Sequence, residues 1–224
     1  MLTNYKLRAA LVGLLLSTPA HAQNWTMPPE SARCPSKWGA ADQRGSANLM
    51  GPASVLRASK LIQTGEVFEL GDVLSSDPTE GYVNSTRGFN LQTKASAPIP
   101  NARVGNEELV VGEMGQLGTQ FDGFAHQMWG DSFYNCIKFG DIMTRTGFKK
   151  LGVENVGMLM TRGVLIDVAA VKGQDRLPDG YVVTAEDLQE ALRKQNLTLQ
   201  AGDAVLIRTG WDVLRGKENE KYAN

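Results

Sequence analysis

Histidine and cysteine are scarce in this sequence of 224 residues, which contains two of each. Cys34 and Cys136 form no C-x-x-C motif, which argues against a zinc site built from thiolates. The two histidines, His21 and His126, restrict any site that needs an imidazole to two places in the chain.

Other missing patterns exclude further classes of protein. The 23 Lys and Arg residues do not exceed the 24 Asp and Glu residues and form no cluster with aromatic residues, so nucleic acid is not expected as a partner. Nucleotide binding has no support either, because the sequence contains neither a P-loop nor a G-x-G-x-x-G motif. The G-x-S-x-G elbow is also absent, and a serine hydrolase would have to combine His126 with a distant serine.

The longest apolar run near the N-terminus, Ala9–Leu16, is too short to span a membrane, which takes about 20 residues. Lys6 and Arg8 precede this run, and the small-x-small sequence Ala20-His21-Ala22 follows it. The pattern predicts a secretory signal peptide over residues 1–22, with an uncleaved anchor as the alternative. We therefore expect a periplasmic or secreted protein that has no membrane attachment after cleavage.

The expected mature chain, residues 23–224, is long enough for one domain with a hydrophobic core. Loss of Lys6 and Arg8 leaves 21 basic residues against 24 acidic ones, a net charge of −3. In an oxidising compartment Cys34 and Cys136 could pair, or they could be two small buried thiols. The sequence leaves both alternatives open.

The last third of the chain alternates strand and helix patterns. Residues 163–171 form a nearly continuous apolar run, which predicts a strand buried on both faces. A helix is predicted from the cap residue Thr184 to about residue 196, and a strand follows at Ala204–Arg208. This order of elements predicts an α/β fold.

The first half of the chain gives weaker patterns. A helix is predicted from Pro52 to the residue before Gly65, followed by a strand at residues 66–70. Residues 75–107 are rich in Gly, Pro, Ser, Asn and Thr, which is typical of a loop or a hairpin.

The segment GTQFDGFAH, residues 118–126, combines an amide, a carboxylate and an imidazole in Gln120, Asp122 and His126. A carboxylate with amide oxygens or an imidazole can bind a divalent cation, and an imidazole can move a proton near neutral pH. A solvated strand face with a surface histidine would give the same letters, so this pattern alone does not decide between the two interpretations.

We interpret this segment as a strand that runs into a turn. Strand alternation would place Gln116, Gly118, Gln120 and Asp122 on one face. A bend at Gly123 would then bring His126 back toward Asp122. The next segment, GDSFYN, adds two aromatic residues that could line a substrate pocket or pack in the core: Phe133 and Tyr134.

Several separated motifs occur here in a characteristic order: KWGAADQRGSANLMGP, LGTQFDGFAH, GDSFYN, TRGVLIDVA, LPDGYVVTAEDL and AGDAVLIRTGW. With them the sequence resembles the Putative cyclase family, in particular its long-form branch, which includes bacterial kynurenine formamidases and isatin hydrolases. The resemblance covers nearly all of the mature chain. It implies an α/β fold of the swivelling β/β/α kind in a single domain.

The metal motif of that family is His-x-Gly-Thr-His-x-Asp-x-Pro-x-His. The sequence retains four of its positions: Gly118, Thr119, Asp122 and His126. Gln116 and Gln120 replace the two ligand histidines, and Phe124 replaces the proline. The resemblance implies that Gln120 and Asp122 are metal ligands, with Gln116 a weaker correspondence, and that His126 is the proton shuttle or a further ligand.

The resemblance therefore implies a metal-dependent hydrolase of a small amide, imide or lactone, in which metal-bound water is activated and His126 shuttles the proton. The divalent metal would be Mn²⁺ or Zn²⁺, and the glutamines favour the harder Mn²⁺. An exported binding module or pseudo-enzyme of the same fold is the alternative. We expect a small-molecule substrate and leave a homo-oligomer open. Because the family supplies further ligands after the LIRTGW strand, we also expect the chain to be incomplete at its C-terminus.

Overall fold

A computed structural model of the chain describes residues 26–75, 87–100, 102–113, 115 and 118–223. The predicted signal peptide and Gln116 lie outside these residues. The described chain mixes helices and strands. Its α-helices are Glu30–Arg33 (α1), Pro52–Ser59 (α2), Phe139–Ile142 (α3), Val168–Val171 (α4), Ala185–Lys194 (α5) and Asn219–Ala223 (α6). Its strands are Phe89–Ala95 (β1), Asn106–Gly112 (β2), Met143–Thr144 (β3), Gly147–Phe148 (β4), Gly163–Asp167 (β5) and Ala204–Arg208 (β6). None of the helices that the structure describes has the length and apolarity to cross a membrane.

The predicted strand–helix–strand unit is confirmed. Strands β5 and β6 pair in parallel, with Gly163 opposite Ala204 and Asp167 opposite Arg208. Helix α5 begins after Thr184, whose hydroxyl accepts a hydrogen bond from the backbone N–H of Asp187. The helix packs its apolar side on β5 and α4 and forms a core with the following buried residues: Val164, Ile166, Val168, Ala169, Leu177 and Ala191.

The prediction of a strand over residues 163–171, buried on both faces, is wrong in two respects. The strand ends at Asp167, because its carboxylate accepts the backbone N–H of Ala170 and begins helix α4. Within β5, Val164 and Ile166 are buried whereas Leu165 is 49% exposed. A continuous apolar run in a sequence does not reveal which of the two faces is covered.

Helix α2 begins at Pro52 as predicted but ends at Ser59, well before Gly65. The strand predicted at residues 66–70 is wrong: this segment is exposed and pairs with no strand among the described residues. A strand pattern needs a partner to satisfy its backbone, and the sequence did not show that one was missing. The prediction of hairpin material is confirmed, because β1 and β2 form an antiparallel pair with Phe89 opposite Gly112.

A second core lies beneath the GTQFDGFAH segment, residues 118–126. It is built from Phe133, Ile142 and Leu151, with partly buried aromatic residues packed around it. Cys34 and Cys136 form a disulfide across 102 residues, with their Cα atoms 5.9 Å apart. The bridge therefore joins the end of α1 to the turn that follows Phe133, and the pairing alternative is the one that the structure shows.

Candidate functional site

Residues 118–123 do not form the predicted strand. Their first hydrogen bonds go to a side chain and a carbonyl: the Thr119 N–H donates to Asp72 Oδ2 at 3.0 Å, and the Thr119 hydroxyl donates to the Leu70 carbonyl. Gly118 has φ +149°, and a β-carbon there would come within 2.4 Å of Asp72 Oδ2. The lack of a side chain at Gly118 thus makes room for the Asp72 carboxylate, which accepts the hydrogen bond from Thr119.

Asp72 is held in turn by Arg215, whose Nη1 lies 2.5 Å from Asp72 Oδ1. The Asp72 side chain is only 15% exposed, so this largely buried ion pair anchors the start of the loop at Thr119. Sequence reasoning missed both residues. Asp72 lies 47 residues before Thr119 and belongs to no motif that carries chemistry, so no local signal pointed to it.

The turn that was predicted after Asp122 is present. The His126 backbone N–H donates to the Gly123 carbonyl at 2.9 Å, and this turn brings His126 Nδ1 to 3.7 Å from Asp122 Oδ1. Gln120 Nε2 donates to the other oxygen of the same carboxylate at 3.2 Å. The side chains of Asp122 and His126 are 46% and 40% exposed. The structure therefore brings together Gln120, Asp122 and His126, and all three are open to solvent.

The turn rests on the second core. A β-carbon at Gly123 would lie 3.0 Å from the Leu151 carbonyl oxygen, so close packing explains the glycine at this position. The Ala125 N–H donates to the same carbonyl at 3.3 Å. Leu151 is itself 1% exposed, and its N–H donates to the side chain of Gln43. The backbone of the turn is therefore fixed to a buried residue.

Tyr134 forms the side wall of the site. Its ring stacks on Phe124 with centroids 4.1 Å apart, and its hydroxyl donates to Asp42 Oδ2 at 2.8 Å. The Phe124 ring also lies against Gly45, where a β-carbon would come within 2.5 Å of Cζ. The stack on Tyr134 and the contact with Gly45 hold the Phe124 ring in place.

The Asp42 carboxylate accepts the hydrogen bonds that hold the Tyr134 wall in place. Besides Tyr134, the Gly45 N–H and the Asn48 amide donate to its carboxylate at 2.8 Å and 2.6 Å. Burial by itself would raise the pKa of Asp42, but these hydrogen bonds outweigh it and hold the pKa below its usual range. Burial raises the pKa of the Tyr134 hydroxyl, which stays protonated and serves as a donor.

Tyr134 and Phe133, the two aromatic residues that the sequence analysis proposed for a substrate pocket, lie in different environments. Tyr134 lines a cavity of about 280 Å³ together with Asp122 and His126. Phe133 is 5% exposed and packs against Phe139 and Phe148 in the second core. It supports the wall from behind and is not among the residues that line the cavities at His126.

A larger cavity of about 440 Å³ also lies at this loop. Gly118, Thr119, Gln120, Asp122 and His126 line it, and Leu74 closes part of it. Its volume lies within the range of about 300–1,000 Å³ typical of small-molecule sites. The three polar side chains therefore share a cavity in which a small substrate would meet them together.

The donor set fits a divalent cation in part. Asp122 supplies a carboxylate and His126 an imidazole, and a half-turn of the Gln120 amide would bring its oxygen to the same place. Within the described ranges, no group of three or more His, Cys, Asp and Glu residues could hold a metal ion. Two such ligands and one amide suit an oxygen-preferring ion such as Mn²⁺ better than Zn²⁺, which favours nitrogen and sulfur ligands in its structural sites.

Comparison with known proteins gives the family of this chain. Residues 16–224 match the family described as Putative cyclase. The chain belongs to the cyclase family. A solved structure described as a crystal structure of a novel cyclase is 33% identical, with a TM-score of 0.71, over 84% of this chain and 66% of that chain. No curated protein matches the sequence.

Membership of the cyclase family confirms the resemblance that the sequence motifs indicated, and it supports an enzyme of cyclase-like or hydrolase type. This chain spans 66% of the length of that solved relative, a little under two thirds. The roles of Gln120, Asp122 and His126 in this cyclase-family protein remain predictions.

Proposed function

We propose that this cyclase-family protein is a metal-dependent hydrolase of a small amide, imide or lactone. The observation that carries the proposal is the meeting of Gln120, Asp122 and His126 at one exposed turn, on the wall of a cavity of about 440 Å³. No other chemistry suggested by the sequence has comparable support in the described structure.

Asp122 and Gln120 would hold the divalent ion, Mn²⁺ or Zn²⁺, through a carboxylate and an amide oxygen. When bound, the ion polarises a carbonyl and makes water acidic near neutral pH. His126 Nδ1 lies on the Asp122 side at 3.7 Å, which leaves Nε2 as the atom that takes a proton from water and returns it to the leaving group. Asp122 orients the imidazole for this transfer.

Tyr134 would contact the substrate, with Phe133 behind it as the support of the same wall. The Tyr134 hydroxyl is committed to Asp42, so the ring presents its apolar surface and edge to the cavity. We also propose that the mixed helix and strand arrangement is the swivelling β/β/α fold of the family. The parallel pair β5–β6 with α5 packed on it is consistent with that arrangement.

The test combines metal content with hydrolysis. The purified full chain is dialysed against a chelator, reloaded with Mn²⁺ or Zn²⁺, and analysed for bound metal by mass spectrometry. Hydrolysis of a formanilide, a cyclic imide and an aryl lactone is then followed with and without the ion. We expect about one bound metal and hydrolysis that depends on it. Full hydrolysis after chelation, or labelling by a fluorophosphonate that a chelator does not affect, would reject the metal in favour of a serine hydrolase.

A binding module or pseudo-enzyme is the second candidate. It is favoured by the replacement of two ligand histidines by glutamine and by the shortage of clustered ligands in the described part of the chain. The same experiment separates the two candidates, because a pseudo-enzyme would show neither stoichiometric metal nor hydrolysis of any of the three substrates.

We further propose export to the periplasm or the medium after cleavage behind Ala22. The basic, apolar and small-residue pattern of residues 6–22 supports this proposal. Mass spectrometry of the exported protein should give an N-terminus at Gln23, and an exported form that begins at Met1 or Leu2 would refute it.

A further inference from the structure

A third cavity lies next to Tyr134. Its volume is about 590 Å³, within the range of small-molecule sites. Gln127 and Tyr134 line both this cavity and the smaller cavity at His126, so the two spaces share a wall. The third cavity is lined by none of the residues assigned above to metal binding or proton transfer.

Most of its surface is apolar or already hydrogen-bonded. Met27, Met128 and Trp129 supply the apolar walls, and Trp129 is 57% exposed. The Asn135 amide is used on both sides: its oxygen accepts the Ser36 N–H at 2.7 Å and its nitrogen donates to the Gly39 carbonyl at 2.8 Å. Such groups shape the cavity but have little capacity left for a ligand.

Two polar groups in the cavity do have that capacity. Arg33 is the one charged residue among the described residues that line it. The Arg33 Nε donates to the Pro28 carbonyl at 2.9 Å, which orients the guanidinium and leaves its two Nη groups without a partner in the described part of the chain. The side-chain amide of Gln127 also has no hydrogen-bond partner among the described residues.

The position of Arg33 is fixed before any ligand arrives. Arg33 is the last residue of α1, and the next residue, Cys34, lines the cavity and is bonded to Cys136. A guanidinium held in place loses less entropy on binding than a free side chain, and its planar fork matches a carboxylate. Flat apolar walls next to one oriented cation select an apolar anion over a neutral or polar one.

We propose that this cavity is a second binding site, which takes a small organic monocarboxylate with a flat apolar body. Arg33 pairs with the carboxylate, Gln127 donates to one of its oxygens, and Trp129 with the two methionines covers the body. The site does not depend on the proposed hydrolysis, because none of these groups takes part in it.

The test uses phenylacetate and its neutral counterpart phenylacetamide, titrated calorimetrically into the full chain. Phenylacetate should bind more tightly than phenylacetamide. Arg33→Gln should weaken phenylacetate binding about 10-fold to 100-fold, the usual range for a hydrogen bond to a charged group, and leave phenylacetamide nearly unchanged. Arg145→Gln, which removes an exposed arginine outside the cavity, serves as the matched control and should bind like the wild type.

Two further variants locate the site. Gln127→Leu, at an exposed position, should weaken phenylacetate binding several-fold even if Arg33→Gln fails to fold. Asp122→Ala should bind phenylacetate like the wild type, because the proposed metal site is separate. Equal binding of the two probes by the wild type, or unchanged phenylacetate binding in both Arg33→Gln and Gln127→Leu, would overturn the proposal. So would loss of binding in Asp122→Ala alone, since the carboxylate would then sit at the metal site.

Discussion

Asp122 links the other two side chains of the candidate site. One of its carboxylate oxygens faces His126, and the other accepts a hydrogen bond from Gln120. The two neighbours differ in what they can do chemically. An imidazole accepts and returns a proton near neutral pH, whereas an amide cannot. This difference allows substitutions to separate metal binding from proton transfer.

His126→Ala should lower the turnover of the metal-loaded protein by about 100-fold or more, the usual loss when a general acid–base is removed. Metal content should stay near the wild-type value, since Asp122 and Gln120 remain. Turnover and metal content are measured on the same preparation. An equal fall of metal content in His126→Ala and Asp122→Ala would show that His126 is a ligand.

Asp122→Ala should lose the metal as well as the activity, because it removes the carboxylate at the centre of the three side chains. The readout is the amount of Mn²⁺ retained after gel filtration. Asp141→Ala, an exposed acidic residue of α3, is a suitable control and should retain the ion. Wild-type retention in Asp122→Ala would refute the assigned ligand.

Helix α5 is the element whose sequence and structure agree best, and its first turn contains Asp187, a buried carboxylate in an ion pair. The Asp187 carboxylate accepts the Thr184 N–H at 3.0 Å and lies 2.6 Å from Lys172 Nζ. Lys172 is the main cause that lowers the pKa of Asp187 to about 2, with the Thr184 N–H as the second. Only 9% of this side chain is exposed.

A carboxylate with a lowered pKa stabilises the fold above its unfolded pKa and loses that contribution as the pH falls toward the folded value. The contribution of Asp187 should therefore be complete above about pH 4 and disappear toward pH 2. Asp187→Asn should lower the free energy of unfolding by about 2 kcal/mol at pH 7.

Urea unfolding of the wild type and of Asp187→Asn at a series of pH values measures this effect. The difference between the two should shrink as the pH falls from 4 to 2. Glu186→Gln removes an exposed charge from the same turn and should change stability by less than about 0.5 kcal/mol. A difference that is constant across the pH range would contradict the assigned ion pair.

At the scale of the whole molecule, the Cys34–Cys136 bridge and the hydrogen bonds around it join the N-terminal segment to the turn that carries Tyr134. The bridge closes a loop of 102 residues, and Asn135 adds two hydrogen bonds to the same segment. The wall at Tyr134, which the smaller cavity at His126 shares with the cavity at Arg33, thus depends on contacts between distant parts of the chain.

Replacing both cysteines by alanine should lower the free energy of unfolding by about 2–4 kcal/mol, the typical range for a disulfide. Denaturant unfolding of the double variant against the wild type checks the value. Peptide mapping under non-reducing conditions provides the control. A wild type that gives two free thiols in that map would contradict the pairing.

Local patterns allowed several features to be predicted from the sequence. The meeting of Asp122 and His126 was predictable because both lie on one turn, four residues apart, where short-range geometry decides. Helix α5 and strand β6 were predictable because a cap, a helical apolar stripe and a short apolar strand segment are complete within their own stretches of sequence. These features needed no information from elsewhere in the chain.

Contacts between distant residues were decided only by the tertiary structure. The sequence does not show that Asp72 and Arg215 support Thr119, or that Asp42 holds Tyr134. It predicted strands where the backbone found other partners, since strand formation depends on pairing and not on composition alone. The sequence by itself determined which chemical groups meet at the turn; only folding decided what holds that turn and which side chains close its walls, because those contacts span dozens of residues.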